Sequence, residues 1–500
     1  MLAGGRSRRP LGRTIGHVGV ALAVAFALLA GAAGYWGVIE APGLTRSPND
    51  AAVIAASRTV QRGQIRDRDG RVLAGNRRDA NGELYRVYAN PAVSHVVGYS
   101  SRRFGAAGLE RAYSAELAGL AVDPVADALR KFGTDPFDPQ SLHLALSYDL
   151  QRAAVAALGD RRGAVVMLDP TTGEVLVLAS TPTYDASAIT APDAGAAADA
   201  FEALQASDAR PLLPRATLGR YVPGSVFKIV TAIAGLGSGA ITPSTTFEEQ
   251  AEAGANGLLV QGFRIRESHT LRRGEALNLA EATEISSNIY YALVGLEVGG
   301  AGMISSAERL GFNAPLPFDL PTAVSQVTNA RGDEPGGFVD DVELANAAYG
   351  QGETLVTPLQ MALVAATVAN DGVLMRPRLV TALSGKDGTR RIGPSEVRQV
   401  ISAADARALQ AAMQRAVEGR LGRQFTSGAK VAGVPTAGKS GTAELGGEGE
   451  SHSWFIGFAP VDEPRVAIAV LVEQAGRGGA VAAPMAGDLM ERFFREFPDE

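Results

Sequence analysis

The chain has 500 residues, 46% of them hydrophobic and 20% charged, with a formal net charge of −6. That supplies a sizeable core and room for more than one domain, and it excludes both a disordered chain and a globally basic nucleic-acid binder. There is no cysteine, and the five histidines (His17, His95, His143, His269, His452) form no metal-ligand pair at helical spacing, so neither a metal nor a cofactor is expected.

The first element is apolar. Gly16 to Ile39 contains no Asp, Glu, Lys or Arg, long enough to span a bilayer as a helix. Arg6, Arg8, Arg9 and Arg13 precede it, so the expected topology is a cytoplasmic tail (1–16), a single transmembrane anchor (17–39) and an extracytoplasmic remainder. Tyr35 and Trp36 fall where an aromatic belt would meet the outer interface. A cleaved signal peptide, with Ala30-Gly31-Ala32 as the cleavage site, is the competing reading; either one exports the rest of the chain.

Residues 40–150 read as a smaller mixed α/β domain. Asp69-Gly70 sits between two short alternating runs, Gln64–Arg66 and Val72–Ala74, which predicts a hairpin; Gly105 to Leu120 reads as helix. Residues 151–500 read as an α+β domain. Gln151–Leu158 is helical, and two β-branched runs between Gly163 and Ser180 flank the turn Asp169–Gly173. The middle is helix-rich, as in Val364–Ala369. Strands return at Ser453–Ala459 and Val466–Glu473, followed by a helix over Ala483–Glu496. The sheet is thus expected to be completed by distant parts of the chain, antiparallel and flanked by helices.

Three short motifs carry chemistry. In Pro223-Gly224-Ser225-Val226-Phe227-Lys228 the Pro-Gly pair breaks the chain before an apolar helix that is expected to stop at Gly235, Gly237 and Gly239. Ser225 then stands at a helix start with Lys228 one turn on. A hydroxyl needs a base to become a nucleophile, and a lysine serves if burial or a second cation lowers its pKa. Only five lysines occur among the 47 basic residues, so one that persists does what arginine cannot, namely lose its proton. Ser286-Ser287-Asn288 lies between apolar flanks: either a helix terminus, or a proton relay at Ser286 with an amide-binding Asn288. Thr436-Ala437-Gly438-Lys439-Ser440-Gly441-Thr442-Ala443 precedes a strand. Lys439 offers a fixed cation, Ser440 and Thr442 offer hydroxyls for a carboxylate, and the Thr442 N–H could share an oxyanion with that of Ser225. A glycine-rich turn is the plain alternative; a phosphate loop fails on glycine spacing. Each motif alone is weak, but Ser-x-x-Lys, Ser-x-Asn and Lys-Ser-Gly in this order form a known set for penicillin-binding proteins and class A β-lactamases.

On these residues the chain resembles the class B penicillin-binding proteins, of the penicillin-binding protein A type. Tyr148–Gln151, Leu168-Asp169-Pro170, Gly350-Gln351-Gly352, Thr357–Gln360 and Trp454–Pro460 extend the likeness across residues 151–500, and Arg62 to Ala74 resembles the family's non-catalytic pedestal. The resemblance implies a serine D,D-transpeptidase of the β-lactamase/penicillin-binding fold that cross-links stem pentapeptides in elongation or division. Ser225 would attack the penultimate D-alanine, Lys228 act as base, Ser286 relay the proton and Asn288 orient the substrate amide. Lys439, Ser440, Gly441 and Thr442 would hold the terminal carboxylate. It also implies covalent binding of β-lactams and a partner glycan polymerase in the membrane, since residues 40–150 resemble no glycosyltransferase. A D,D-carboxypeptidase or β-lactamase on the same scaffold, and a non-catalytic β-lactam or muropeptide sensor, are the alternatives.

Overall fold

The structure is a computed structural model and describes residues 11–34, 61–119, 138–329, 337–444 and 450–498. A five-stranded antiparallel sheet organises the larger part, in the order Ala437–Ala443, His452–Ala459, Val466–Val472, Gly163–Leu168, Val175–Thr181. Its three central strands are buried along their whole length apart from His452 at one end. This is why they read as unbroken apolar runs: with both faces covered, no polar alternation survives. Val165, Met167, Ile468 and Val470 face the helices Tyr148–Leu158 and Ala482–Glu496. Ala164, Val166, Ala469 and Leu471 face the helices Lys228–Ser238 and Pro358–Ala369. All twelve residues of Pro358–Ala369 are buried, as a helix apolar on every side requires.

A second, six-stranded sheet runs Gly388–Arg391, Val380–Gly385, Ser141–Leu144, Ile65–Arg66, Val72–Arg78, Leu84–Tyr88. The Asp69-Gly70 hairpin forms as expected, with Gly70 at φ +82. Two of the six strands come from residues 380–391, so this sheet joins the early part of the chain to its last third. Beside it, Arg62 and Arg86 clamp the buried carboxylate of Glu110, at 3.1 and 2.5 Å.

Two local expectations differ from the structure. The helix expected over Gly105–Leu120 is two short ones, Gly108–Ala112 and Ser114–Ala118, broken at Tyr113. The break lets Glu110 turn inward between its arginines while the Tyr113 hydroxyl donates to Asp319 at 2.5 Å; Leu120 lies outside the described residues. The helix after Lys228 passes through Gly235 and Gly237 and ends only at Gly239, in the left-handed conformation (φ +76). Gly235 serves packing instead: a Cβ there would meet Ile241 and Val294 at 2.9 Å.

Among the described residues no helix is long and apolar enough to cross a membrane, so the span expected at 17–39 is not met there. An N-terminal helix does run Leu11–Gly34, and the side chains of residues 16–32 are exposed throughout. Residues 1–10 and 35–60, with Tyr35 and Trp36, lie outside the described residues.

Candidate active site

The turn that carries Ser225, the expected nucleophile, is built by contacts that admit no side chain. Ser225 lies in a 3-10 turn, Gly224–Phe227, and Lys228 opens the α-helix that follows. Gly224 has φ +57, a region L side chains avoid, and a Cβ on it would come within 2.6 Å of the Thr442 carbonyl. A Cβ on Gly441 would meet Pro223 O at 2.9 Å, and one on Gly350 would meet Gly224 O at 1.8 Å. Three hydrogen bonds hold the turn in this gap: Gly224 N donates to Gly350 O (2.8 Å), Trp454 Nε1 to Val222 O (3.0 Å) and Tyr221 N to Val356 O (2.9 Å). Ser225 and Thr442 are therefore neighbours across a seam of bare backbone.

The second motif is a helix terminus, and it also brings Ser286 against two lysines. Ser286 caps the helix Leu279–Ile285 in the left-handed region (φ +61, ψ 43), an unusual conformation for serine. Ser287 caps the next helix, Asn288–Arg309. The strained link delivers Ser286 to two lysines. Lys439 Nζ donates to Ser286 Oγ at 2.8 Å and to Ser440 O at 3.0 Å. Lys228 Nζ contacts Ser286 O (2.7 Å), Ser286 Oγ (3.2 Å) and Asn288 Oδ1 (2.7 Å). Asn288 Nδ2 donates to Arg266 O at 3.0 Å, which fixes the amide with its oxygen toward Lys228.

Both amines are buried, Lys228 at 0% and Lys439 at 2% exposure. Burial pushes the Lys228 ammonium well below the ordinary lysine range; the neighbouring Lys439 lowers it further, and Glu267 opposes the shift. Burial alone brings Lys439 down to about 7. Two amines joined through one hydroxyl in a dry site do not both stay charged cheaply. In its neutral form Lys228 has two N–H bonds, and two of its contacts, Ser286 O and Asn288 Oδ1, can only accept. Its lone pair is then left for a hydroxyl proton, which is what a general base requires.

The third motif is the outermost strand of the five-stranded sheet. Side chains alternate along it. Lys439 and Gly441 pair with Ile456 and Trp454, whose side chains belong to the core on the nucleophile side; Ser440 pairs with Phe455, which packs on the other face. Thr442 Oγ1 accepts from Gly478 N at 3.3 Å. The expected carboxylate hydroxyls thus leave the strand on the face opposite Lys439. All eight expected residues nevertheless lie on three segments that meet at one place. The residue missed was Glu267. Its carboxylate accepts from Ser287 Oγ, from Asn288 N (2.7 Å) and from Ile289 N (3.4 Å). It stands in a short strand-and-loop segment with no motif around it, and nothing in the sequence marks it.

Two half-buried serines and two buried lysines on a helix-flanked antiparallel sheet define a class, the serine acyl-transferases that form an ester with their substrate. Residues 163–491 match the penicillin binding protein transpeptidase domain and residues 62–135 the penicillin binding protein A dimerisation domain; the chain belongs to the penicillin-binding protein transpeptidase family. It is 35% identical over 503 residues to the peptidoglycan D,D-transpeptidase PbpA of Mycolicibacterium smegmatis, covering 96% of this chain and 98% of that one. To the PbpA of Mycobacterium tuberculosis it is 32% identical, over 91% of this chain and 93% of the relative. The penicillin G acyl-enzyme complex of M. tuberculosis penicillin-binding protein A superposes with a TM-score of 0.76 at 31% identity, over 87% of this chain and all of that one.

Proposed function

We propose that this protein is a peptidoglycan D,D-transpeptidase that cross-links peptide stems through an acyl-enzyme on Ser225 and is acylated there by β-lactams. The observation that carries the reading is the position of Ser286 Oγ between the two buried amines, within 3.2 Å of Lys228 and 2.8 Å of Lys439. Relatives named as D,D-transpeptidases, and a similar structure caught as a penicillin acyl-enzyme, support it. In this reading neutral Lys228 takes the Ser225 proton as the hydroxyl attacks the penultimate D-alanine carbonyl. Ser286 passes that proton to the departing D-alanine. Asn288 orients Lys228 through its oxygen and meets the substrate amide. Lys439 in its charged form holds the terminal carboxylate on its face of the strand, with the backbone of Ser440, Gly441 and Thr442 along the strand edge, since the two hydroxyls leave on the other face. The N–H groups of Ser225 and Thr442 receive the oxyanion. The amine of a second stem then resolves the ester.

The division of the chain at about residue 150 into a pedestal and a catalytic domain belongs to the same proposal, as does attachment to the membrane. The apolar side chains of Val18, Phe26 and Leu28 stand exposed on the N-terminal helix, the charge-free run extends from Gly16 to Ile39, and arginines precede it. These features favour a single-pass anchor with its N-terminus cytoplasmic. A partner that polymerises glycan in the membrane would complete the synthesis. Labelling the full chain in detergent with a fluorescent penicillin, with and without Ser225→Ala, tests the core of the reading. A stable covalent band that Ser225→Ala removes is expected. A band that survives the substitution overturns the assignment of the nucleophile.

A further inference from the structure

We propose that Glu267 is a positioning residue for this chemistry: it anchors the Ser286–Asn288 link and brings a carboxylate to the lysine pair. The inference rests on the transpeptidase reading and extends it to a residue outside the three motifs.

The geometry makes the first half of the case. Ser287 has one hydroxyl proton and spends it on Glu267. Its oxygen accepts from Gln250 Nε2 and from Tyr290 N, both at 3.0 Å, so the hydroxyl is fully committed. The same carboxylate receives the first two N–H groups of the helix Asn288–Arg309, where a negative charge is favoured by the helix dipole. Ser286, immediately before this anchored residue, holds a left-handed conformation that a non-glycine residue keeps only when its surroundings impose it. Releasing Glu267 frees the link to relax, and the shared hydroxyl moves with it.

Charge makes the second half. Lys228 faces Lys439 from the outer strand, Glu267 from the loop, and the Tyr291 ring, 5.8 Å away, from the helix Asn288–Arg309. His269, two residues past Glu267, hydrogen-bonds Ile285 O at 2.5 Å and packs beside Phe425. Arg266 is exposed and contributes its carbonyl. Glu284, on the helix Leu279–Ile285, is engaged by Arg415 at 2.5 Å and Leu421 N at 2.9 Å. Among the described residues Glu267 is thus the carboxylate that acts on Lys228; it favours the charged form of that amine against burial and against Lys439.

The acylation rate of the full chain by a fluorescent penicillin, followed against pH, tests both halves. The wild type should give a bell. Its rising limb is loss of the first proton from the pair, freeing the base; its falling limb is loss of the second, abolishing the cation that binds the carboxylate. Glu267→Gln keeps the shape but not the charge. It should move both limbs to lower pH, by about one unit, and lower the maximum about tenfold through the weakened anchor. Glu267→Asp draws the charge back and should move the limbs the same way by a smaller step; it carries the test if Glu267→Gln does not fold. A purely structural role lowers the maximum and leaves the limbs in place, and that result overturns the proposal. A wild type that is not acylated at all overturns the transpeptidase reading instead, so the two failures are distinct.

Discussion

Lys439 has two identities, a strand residue with 2% exposure and, in the proposed mechanism, the ammonium that binds the carboxylate. In the unfolded chain its amine holds a proton up to about pH 10.4; in the folded chain it gives it up near 7. Below pH 7 both states are protonated and folding bears the whole cost of a buried charge. Between about 7 and 10.4 the unfolded state binds the extra proton, so stability rises with pH through that window. Lys439→Met removes this contribution. Its thermal midpoint should therefore gain on the wild type most at pH 7, with the difference narrowing toward pH 10, while acylation is lost. Calorimetric scans at a series of pH values read the difference directly; a gap that does not change with pH would remove burial as the origin of the low pKa. The lysines themselves were legible in the sequence, because they are scarce and stand in motifs. Their coupling was not, since it depends on a hydroxyl 153 residues from Lys439 and 58 from Lys228.

At the scale of elements, the catalytic geometry is a packing problem between the nucleophile turn and the outer strand. Gly441 gives that strand a bare face toward Pro223 and Val226, whose atoms a Cβ would meet at 2.9–3.1 Å. Gly441→Ala should hold the fold but push the turn away from the strand by a few tenths of an ångström. Acylation by penicillin should fall roughly 10–100-fold, since displacements of this kind degrade attack geometry, with a thermal midpoint near the wild type. Gly350→Ala is harsher, because its Cβ would lie 1.8 Å from Gly224 O at φ +87. A loss of about 2 kcal/mol or more is expected, measured by denaturant unfolding. The strands and helices around this seam were readable from periodicity and turn residues. Which glycines close the seam was not, because Gly235, Gly237 and Gly239 look equally important in sequence while Gly224, Gly350 and Gly441 meet only after folding.

At the scale of the molecule, the six-stranded sheet binds the two ends of the chain's middle together. Val380–Gly385 pairs with Ser141–Leu144, which pairs with Ile65–Arg66, and Gln151 Nε2 donates to Ala92 O at 2.9 Å. A chain beginning at residue 151 would expose the edge of Val380–Gly385 and is expected to aggregate or melt well below one beginning at residue 61. Glu110 is buried completely between Arg62 and Arg86. Glu110→Ala leaves two guanidiniums without their carboxylate and should cost about 3–5 kcal/mol, again by denaturant unfolding. A change below 1 kcal/mol would show that the clamp does not hold this region.

The sequence by itself determined what is local: the apolar N-terminal run, the hairpins at Asp69-Gly70 and Asp169–Gly173, the buried strands, and the motifs proposed to supply a nucleophile, a base and a cation. These follow from periodicity, turn chemistry and residue type, which neighbours in the chain suffice to express. The tertiary structure alone decided what is shared between distant segments. It set the common hydroxyl at Ser286, the side of the strand on which Ser440 and Thr442 leave, the break that turns Glu110 inward, and the place of Glu267 beneath the second motif. The physical reason is that burial and charge coupling are properties of what surrounds a group. A lysine in the sequence has an ordinary pKa until packing removes its water and brings a second amine against it.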